Sequence, residues 1–150
     1  MSQLGMQLPG RQARRQATLN VYTGLLLVSV LALGAAVGVA PRVMGIGPAL
    51  AIPKAVARAG IRLQDLDVIE INEAFAAQVL GCLKLLQLPF DAARVTPNGG
   101  AIAIGHPLGA SGARLALTAA RQLAAGGGRY AAVSLCIGVG QGLAVILERA

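Results

Sequence analysis

Three segments of the chain carry side chains that can move protons or steady a developing charge. Asn72 follows one apolar stretch, His106 stands in a glycine-rich segment, and Cys136 ends a second apolar stretch. Histidine accepts and returns a proton near neutral pH, as a general base must, and His106 is the only histidine of the chain. The sequence therefore offers a base, a thiol and an amide as candidates for one catalytic site.

His106 lies between Gly105 and Pro107, where a loop leads into a predicted helix. Glycine lets a backbone approach a ligand closely, and the free N–H groups at a helix start favour an anion nearby. A surface-loop histidine with no chemical role is the alternative. Asn72 also has two interpretations, because its side chain could cap the following helix or hold a water against a developing oxyanion.

Cys136 is followed by glycines at positions 138, 140 and 142. Backbone N–H donors around a thiol favour the thiolate, which would make Cys136 a base or a nucleophile. A buried structural cysteine is the alternative, and this interpretation suits Cys82, which lies within a helical pattern. Neither cysteine belongs to a metal-type pair, so no metal site is expected.

The composition predicts one folded domain of the α/β class. The chain has 150 residues, of which 55% are hydrophobic and 13% charged, and this balance excludes a disordered tail. Its 20 glycines, with two Phe, two Tyr and no Trp, suit an aliphatic core joined by glycine-rich turns. Two free thiols indicate a reducing, cytoplasmic setting.

The net charge of +7 raises the question of nucleic-acid binding. Three of the 13 basic residues, Arg11, Arg14 and Arg15, stand near the N-terminus, and the others are scattered. No basic helix face or aromatic-interleaved stripe emerges, which argues against a nucleic-acid partner. A mild positive excess suits a phosphate-bearing small molecule equally well.

The alternation of helical and strand patterns predicts helices packed on a sheet. A helix is expected to begin near Pro53 and to end at Gly60, since proline is tolerated in a first turn and glycine caps helix ends. If residues 137–142 form a hairpin, the last two strands pair antiparallel. The other predicted elements are loops at 41–48 and 96–107, helices at 76–86 and 107–124, and strands at 66–71, 130–135 and 143–147.

An uncharged stretch from Gln16 to Pro41 precedes these elements. Its leucine-rich centre is Leu25–Leu33. The part Leu25–Leu31 is interpreted first as a buried strand, because a strand covered on both faces reads as a continuous apolar run. Residues 18–40 are also long enough for a membrane-spanning or signal segment. An unfolded translation artefact is the third alternative, and periodicity does not decide among them.

Three segments taken in order resemble the C-terminal signatures of the thiolase family: Asn72–Phe75, Asn98–Arg114 and Cys136–Gly142. The segment Met44–Pro48 also resembles the family's approach to its first helix in this domain. The chain is similar to the acetyl-CoA acetyltransferase and β-ketoadipyl-CoA thiolase type, and Val139 favours the latter. The resemblance implies an α/β fold in which a mixed β-sheet is packed with helices.

The clear part of this resemblance covers residues 38–150. We therefore expect a thiolase C-terminal domain at 25–150 and an unmatched N-terminal segment at 1–24, for which disorder is one option. The implied activity is that of an acyltransferase, which performs Claisen condensation or thiolysis of a β-ketoacyl-CoA in fatty acid or aromatic degradation. CoA and acyl-CoA would be substrates, with no permanently bound cofactor.

The resemblance also implies roles for individual residues. His106 matches the residue that activates a nucleophilic cysteine of the N-terminal domain and helps to form the first oxyanion hole. Asn72 matches the holder of the water that completes that hole. Cys136 matches the acid/base at the α-carbon, and Gly138 matches the N–H donor of the second oxyanion hole. Phe75 matches a residue that lines the CoA pocket.

The chain departs from the family pattern in its cysteines. It contains no Cys-x-Ser nucleophile segment, since Cys82 and Cys136 are its only cysteines. The acyl-enzyme step is therefore not expected on this chain alone. It could be a truncated or frameshifted product, one subunit of a split thiolase, or a fragment of a longer reading frame. The expected partner is a missing N-terminal half or a second copy of the chain. A non-catalytic CoA-binding or scaffold protein, with a membrane tether at 18–40 as one option, is the other hypothesis.

Overall fold

A computed structural model describes residues 44–150. Its helices are α1 (Gly47–Arg58), α2 (Ala76–Leu85), α3 (Ala101–Ile104) and α4 (Leu108–Gly126), and its strands are β1 (Val68–Ile71), β2 (Tyr130–Ile137) and β3 (Gln141–Glu148). Single 3-10 turns cover Leu63–Asp65 and Gly138–Gly140. The predictions for the segments 1–24 and 18–40 lie outside the described residues.

The three strands form one mixed sheet in the order β1-β2-β3. β1 runs parallel to β2, whereas β2 and β3 form an antiparallel hairpin. The predicted α/β class with a mixed sheet is therefore confirmed, and so is the antiparallel pairing of the last two strands. On the other side of β1, Val95 forms an isolated parallel bridge to Ile69.

Helices cover both faces of this sheet because its strands are apolar on both sides. Ile69 and Ile71 face the layer of α1 and α2, whereas Val68 faces α4. On α4, Leu115, Ala119 and Leu123 recur every fourth residue and are buried against the sheet. Gly127, in the left-handed conformation with φ 74°, ends α4. Within residues 44–150, no helix combines the length and apolar character needed to cross a membrane.

Two of the predicted boundaries were wrong. α1 begins at Gly47, inside the predicted loop, and Pro53 lies within the helix instead of at its start. Pro48 occupies the first turn, where a missing N–H costs nothing. The other error is in the predicted loop 96–107, which contains the single helical turn α3. A four-residue helix is too short for a periodic pattern to reveal.

Glu70 is a carboxyl group buried inside the α4 layer. It lies in the centre of β1, is only 1% exposed, and accepts a hydrogen bond of 2.5 Å from Gln122 Nε2 on α4. Burial raises the pKa of Glu70, and the nearby Glu73 adds to this, while the Gln122 bond and the charge of Arg114 act in the opposite direction. The fold therefore favours the neutral carboxyl group.

Replacing Glu70 with glutamine is expected to stabilise the chain in a pH-dependent way. Because its pKa is higher in the folded than in the unfolded chain, wild-type stability is full below the unfolded pKa and is lost as the pH rises through the folded value. Glu70→Gln keeps an acceptor for Gln122 without a charge, so it should gain roughly 1–3 kcal/mol at pH 8 and little at pH 4. Thermal unfolding across that range measures the difference.

Glu148→Gln is the matched control for this measurement. Glu148 is an exposed carboxylate on β3, and its hydrogen bond with Arg129 holds its pKa below the usual range. The pKa shift of Glu148 is therefore opposite in sign to that of Glu70, so Glu148→Gln should gain no stability at pH 8. An equal gain in both variants would point to a general effect of net charge and would contradict the role given to burial of Glu70.

Candidate active site

The candidate site lies at the carboxyl ends of the parallel strands β1 and β2, where α/β sheets commonly place ligands. Asn72 comes directly after β1, and its backbone N–H donates to the carbonyl oxygen of Ser134 on β2 at 2.9 Å. Cys136 lies two residues further along β2. The side chain of Asn72 is fully buried, which fixes its amide at the edge of the sheet.

The interpretation of Asn72 as a helix cap was wrong. α2 begins at Ala76, its N-cap residue is Phe75, and no side chain caps its N-terminus. The amide nitrogen of Asn72 instead lies 3.3 Å from Nε2 of His106. The two residues are far apart in the sequence, so the fold brings the predicted amide and the predicted base into direct contact.

His106 is held on its other side by a serine. Its Nδ1 lies 2.6 Å from the Oγ of Ser111, which is fully buried in the first turn of α4. The hydroxyl group of Ser111 donates its one proton to the carbonyl oxygen of Pro107, at 3.1 Å. Ser111 Oγ must then accept from His106, which assigns the ring proton to Nδ1. Nε2 is therefore the unprotonated, basic nitrogen, and it faces Asn72.

The buried amide of Asn72 has one atom left for further bonding. Its Oδ1 has no hydrogen-bond partner within residues 44–150, although it is buried. Buried polar atoms are nearly always paired with protein or water, and an amide oxygen can accept only from a donor. Asn72 can thus contact His106 with its nitrogen and hold a donor such as a water with its oxygen.

Cys136 lies at the end of β2, half-buried, and pairs in register with Gly142 of β3. In the described part of the chain, no hydrogen bond joins its thiol to His106 or to Asn72. The next residue but one, Gly138, opens the 3-10 turn between β2 and β3 and is exposed. A Cβ added at Gly138 would meet no described atom within 4 Å, so its backbone is open to a ligand.

The remaining predictions for single residues concern Phe75 and Cys82. Phe75 lies between Asn72 and α2 with 61% of its surface exposed, and its predicted contact with CoA stays a prediction. Cys82 is fully buried in the core, as predicted, and burial raises the pKa of its thiol. Its Sγ donates to the carbonyl oxygen of Gly45 at 3.5 Å.

Three contacts of this site were missed from the sequence. Ser111 orients the His106 ring, Glu73 accepts from the backbone N–H of Ile102, and Arg114 donates to the carbonyl oxygen of Gly105. Only Ser111 left a signal, because a serine one helical turn after Pro107 faces back toward the loop. Glu73 and Arg114 reach the loop from separate elements, which spacing does not reveal.

Comparison with known proteins places this chain in a family. The model of the family described as thiolase, C-terminal domain, matches residues 26–149. The chain is 62% identical over 115 residues to the 3-oxoadipyl-CoA/3-oxo-5,6-dehydrosuberyl-CoA thiolase of Escherichia coli K12, which covers 77% of the chain and 29% of that protein. It is 52% identical over 126 residues to the peroxisomal 3-ketoacyl-CoA thiolase B of Rattus norvegicus, covering 83% and 29%.

A solved thiolase structure also matches the chain. The human mitochondrial 3-ketoacyl-CoA thiolase, solved in complex with CoA, matches with a TM-score of 0.65 and 50% identity. That match covers 71% of the chain and 27% of the human protein. The chain thus spans less than a third of the length of the curated relatives that it matches.

Proposed function

The chain belongs to the thiolase family through its C-terminal domain, and we propose that it supplies the acid–base part of an active site that cleaves or forms β-ketoacyl-CoA. The observation that carries this proposal is the imidazole of His106, which is held between Asn72 and Ser111 with its basic nitrogen toward the amide. A base oriented by a third group is the arrangement that activates a weak nucleophile.

His106 is proposed to take the proton of a nucleophilic thiol at Nε2. Because Nε2 has one lone pair, the Asn72 N–H that now contacts it must turn away for this transfer. Once protonated, the same nitrogen becomes a donor for the oxygen of the attacked carbonyl group. The unpaired Oδ1 of Asn72 supports a second donor there, because a water held by that oxygen can direct its other proton to the same oxyanion. Ser111 accepts a hydrogen bond from the Nδ1–H group throughout. The ring therefore keeps its orientation while Nε2 gains and loses a proton.

Cys136 and Gly138 are proposed to act on the step that breaks or forms the carbon–carbon bond. In thiolysis the bond between the α and β carbons breaks, and its electron pair stays on the α-carbon side as an enolate of the acyl-CoA. The thiol proton of Cys136 then passes to the α-carbon. Condensation runs the same transfer in reverse. The open space beside Gly138 supports a hydrogen bond from its backbone N–H to the thioester oxygen, where the enolate charge collects.

The nucleophilic thiol must come from outside these residues. Cys82 is buried in the core, and Cys136 has the proton-transfer role, so neither of the two cysteines is available to hold the acyl group. Exposed apolar side chains around the site, Phe75, Ile102, Ile104 and Leu108, support a covering partner, which we propose is an N-terminal thiolase half. Phe75 is proposed to contact bound CoA. We place the activity in the cytoplasm, which two free thiols support.

A chimaera with the E. coli relative tests this proposal. The segment of this chain that matches the relative at 62% identity would replace the corresponding segment of the E. coli thiolase, which keeps its own N-terminal part. We expect the chimaera to cleave acetoacetyl-CoA or 3-oxoadipyl-CoA in the presence of CoA within about tenfold of the parent rate, because sites that conserve their geometry lose little transition-state stabilisation. The 150-residue chain alone should show no turnover.

Two outcomes would overturn the proposal in different ways. A chimaera that folds and forms the parent's oligomer but turns over neither substrate would contradict the catalytic competence of these residues. Thiolysis by the single chain, abolished by Cys82→Ala, would instead contradict the assignment of the acyl-bearing thiol to another segment. The ratio of the two substrate rates, compared with that of the parent, reports whether this segment contributes to acyl selectivity.

A further inference from the structure

The single helical turn α3, which leads into His106, is not stable by itself. α3 has four residues, is preceded by Gly100 and is followed by Gly105 at φ 88°, and no side chain within it caps its N-terminus. An isolated helical turn of this length is unstable in water, since few of its backbone groups are paired. Groups outside the turn must therefore fix the backbone that leads into His106.

One of these groups is the carboxylate of Glu73. Its Oε2 accepts a hydrogen bond of 2.9 Å from the backbone N–H of Ile102, which is one of the N–H groups that α3 leaves unpaired. A Cβ at Gly100 would lie 2.8 Å from the same oxygen, so the turn admits the carboxylate only because position 100 is glycine. The carboxylate is thus fitted closely against the start of α3.

Glu73 is also the residue next to Asn72 in the chain. The Glu73–Ile102 bond and the Asn72–His106 contact therefore join the same two segments, the one after β1 and the one around α3. A change in the first contact can therefore alter the distance across the second. At the other end of the turn, Arg114 donates to the carbonyl oxygen of Gly105 at 2.7 Å, so both ends of α3 are held by charged side chains.

We infer that Glu73 is a positioning residue, which sets the distance and angle between the His106 ring and the Asn72 amide through the backbone of α3. It acts on the reaction only through His106, so its effect on turnover rests on the proposed function. Its effect on the ring does not, because the geometry of His106 is observable without substrate. Catalytic groups need support of this kind, since displacements of a fraction of an ångström lower the rate.

Nuclear magnetic resonance of the full 150-residue chain tests the inference, because His106 is the only histidine and its ring signals need no assignment by mutation. In the wild type, the ¹⁵N shifts should show Nδ1 protonated and Nε2 unprotonated, with a nuclear Overhauser effect between the Asn72 amide and the ring. In Glu73→Ala we expect both ring shifts to move toward the averaged values of free histidine and that effect to weaken. Glu73→Gln should restore both signals, because its amide oxygen accepts the same N–H.

Asp67 provides the matched control. Its carboxylate also accepts backbone N–H groups, from Arg129 at 2.6 Å and Tyr130 at 2.9 Å, but at the start of β2, the end opposite Cys136. Asp67→Ala should therefore lower stability without moving the His106 signals. If Asp67→Ala and Glu73→Ala shift the ring equally, loss of stability alone explains the effect and the inference is overturned.

Gly100→Ala keeps the test decisive if Glu73→Ala fails to fold. Its methyl group would push the carboxylate away from Ile102 and should reproduce the ring shifts while leaving Glu73 in the chain. Folded variants at either position with wild-type ring shifts would overturn the inference. If the chimaera is inactive but the Glu73 variants show the expected ring shifts, only the proposed function is contradicted. If the chimaera is active but the Glu73 variants leave the ring shifts unchanged, only the inference is contradicted.

Discussion

Replacing His106 with asparagine is expected to lower the thiolysis rate of the chimaeric enzyme by about 10²–10⁴-fold, the usual contribution of a positioned general base. Asparagine can keep a hydrogen bond to Ser111 or to Asn72, so the packing of the loop should change little. It cannot take the proton of the nucleophilic thiol or return it. The loss should therefore appear mainly in kcat, with KM nearly unchanged.

Ser111→Ala gives a graded comparison for this result. It keeps the imidazole but removes the hydroxyl group that accepts the hydrogen bond from Nδ1–H. The ring can then exchange between its two tautomers. We expect a smaller loss of kcat than in His106→Asn. A rate within tenfold of the parent in folded His106→Asn would contradict the assignment of the base, whereas equal losses in both variants would show that the imidazole acts only when Ser111 holds it.

Replacing Gly142 with alanine is expected to cause a large loss of stability. A Cβ at Gly142 would lie 2.3 Å from the carbonyl carbon of Gly47, and one at Gly47 would lie 2.5 Å from the carbonyl oxygen of Gln141. Both neighbours are backbone, so neither can rotate away. α1 would have to separate from β3, which should cost about 2–4 kcal/mol. Urea unfolding of the 150-residue chain measures this.

Gly112→Ala is the control with the opposite sign. Gly112 lies within α4, and an added Cβ would meet no described atom within 4 Å. Alanine is a better helix former than glycine, so this variant should gain about 0.5–1 kcal/mol. If Gly142→Ala unfolds at the same urea concentration as the wild type, the close contact between α1 and β3 does not exist in solution. Gly142→Ala should also displace Cys136, because the two residues pair in the β2–β3 hairpin.

The sheet and most helices could be predicted from the sequence because local pattern determines them. The strands are apolar runs covered on both faces, and α4 has a four-residue apolar repeat with glycine at its end. The start of α1 could not be predicted, since it depends on the contact of Gly47 with Gly142, far away in the sequence. Tertiary contact therefore overrode the signal of Pro53.

The candidate site was predictable in its residue types but not in its contacts. His106 and Asn72 stood out because few side chains can do acid–base or oxyanion chemistry, and the structure brings them together. The role of Ser111 could not be read from spacing alone, because it depends on which way the imidazole turns. The roles of Cys136, Gly138 and Phe75 stay predictions, since each depends on a substrate and a partner that these contacts do not include.

The parallel pairing of β1 with β2 has a consequence for how the site assembles during folding. Cys136 and Gly138 lie on a hairpin whose strands are neighbours in the chain, so their positions require only a short loop to close. The contact of Asn72 with His106 joins residues 34 positions apart, and the pairing of β1 with β2, which holds Asn72 beside Ser134, spans the longer segment from Ile71 to Tyr130. The entropy cost of closing that long loop is offset only by the completed core. The thiol side of the site can therefore form early and locally, whereas the contact between base and amide is a property of the finished fold.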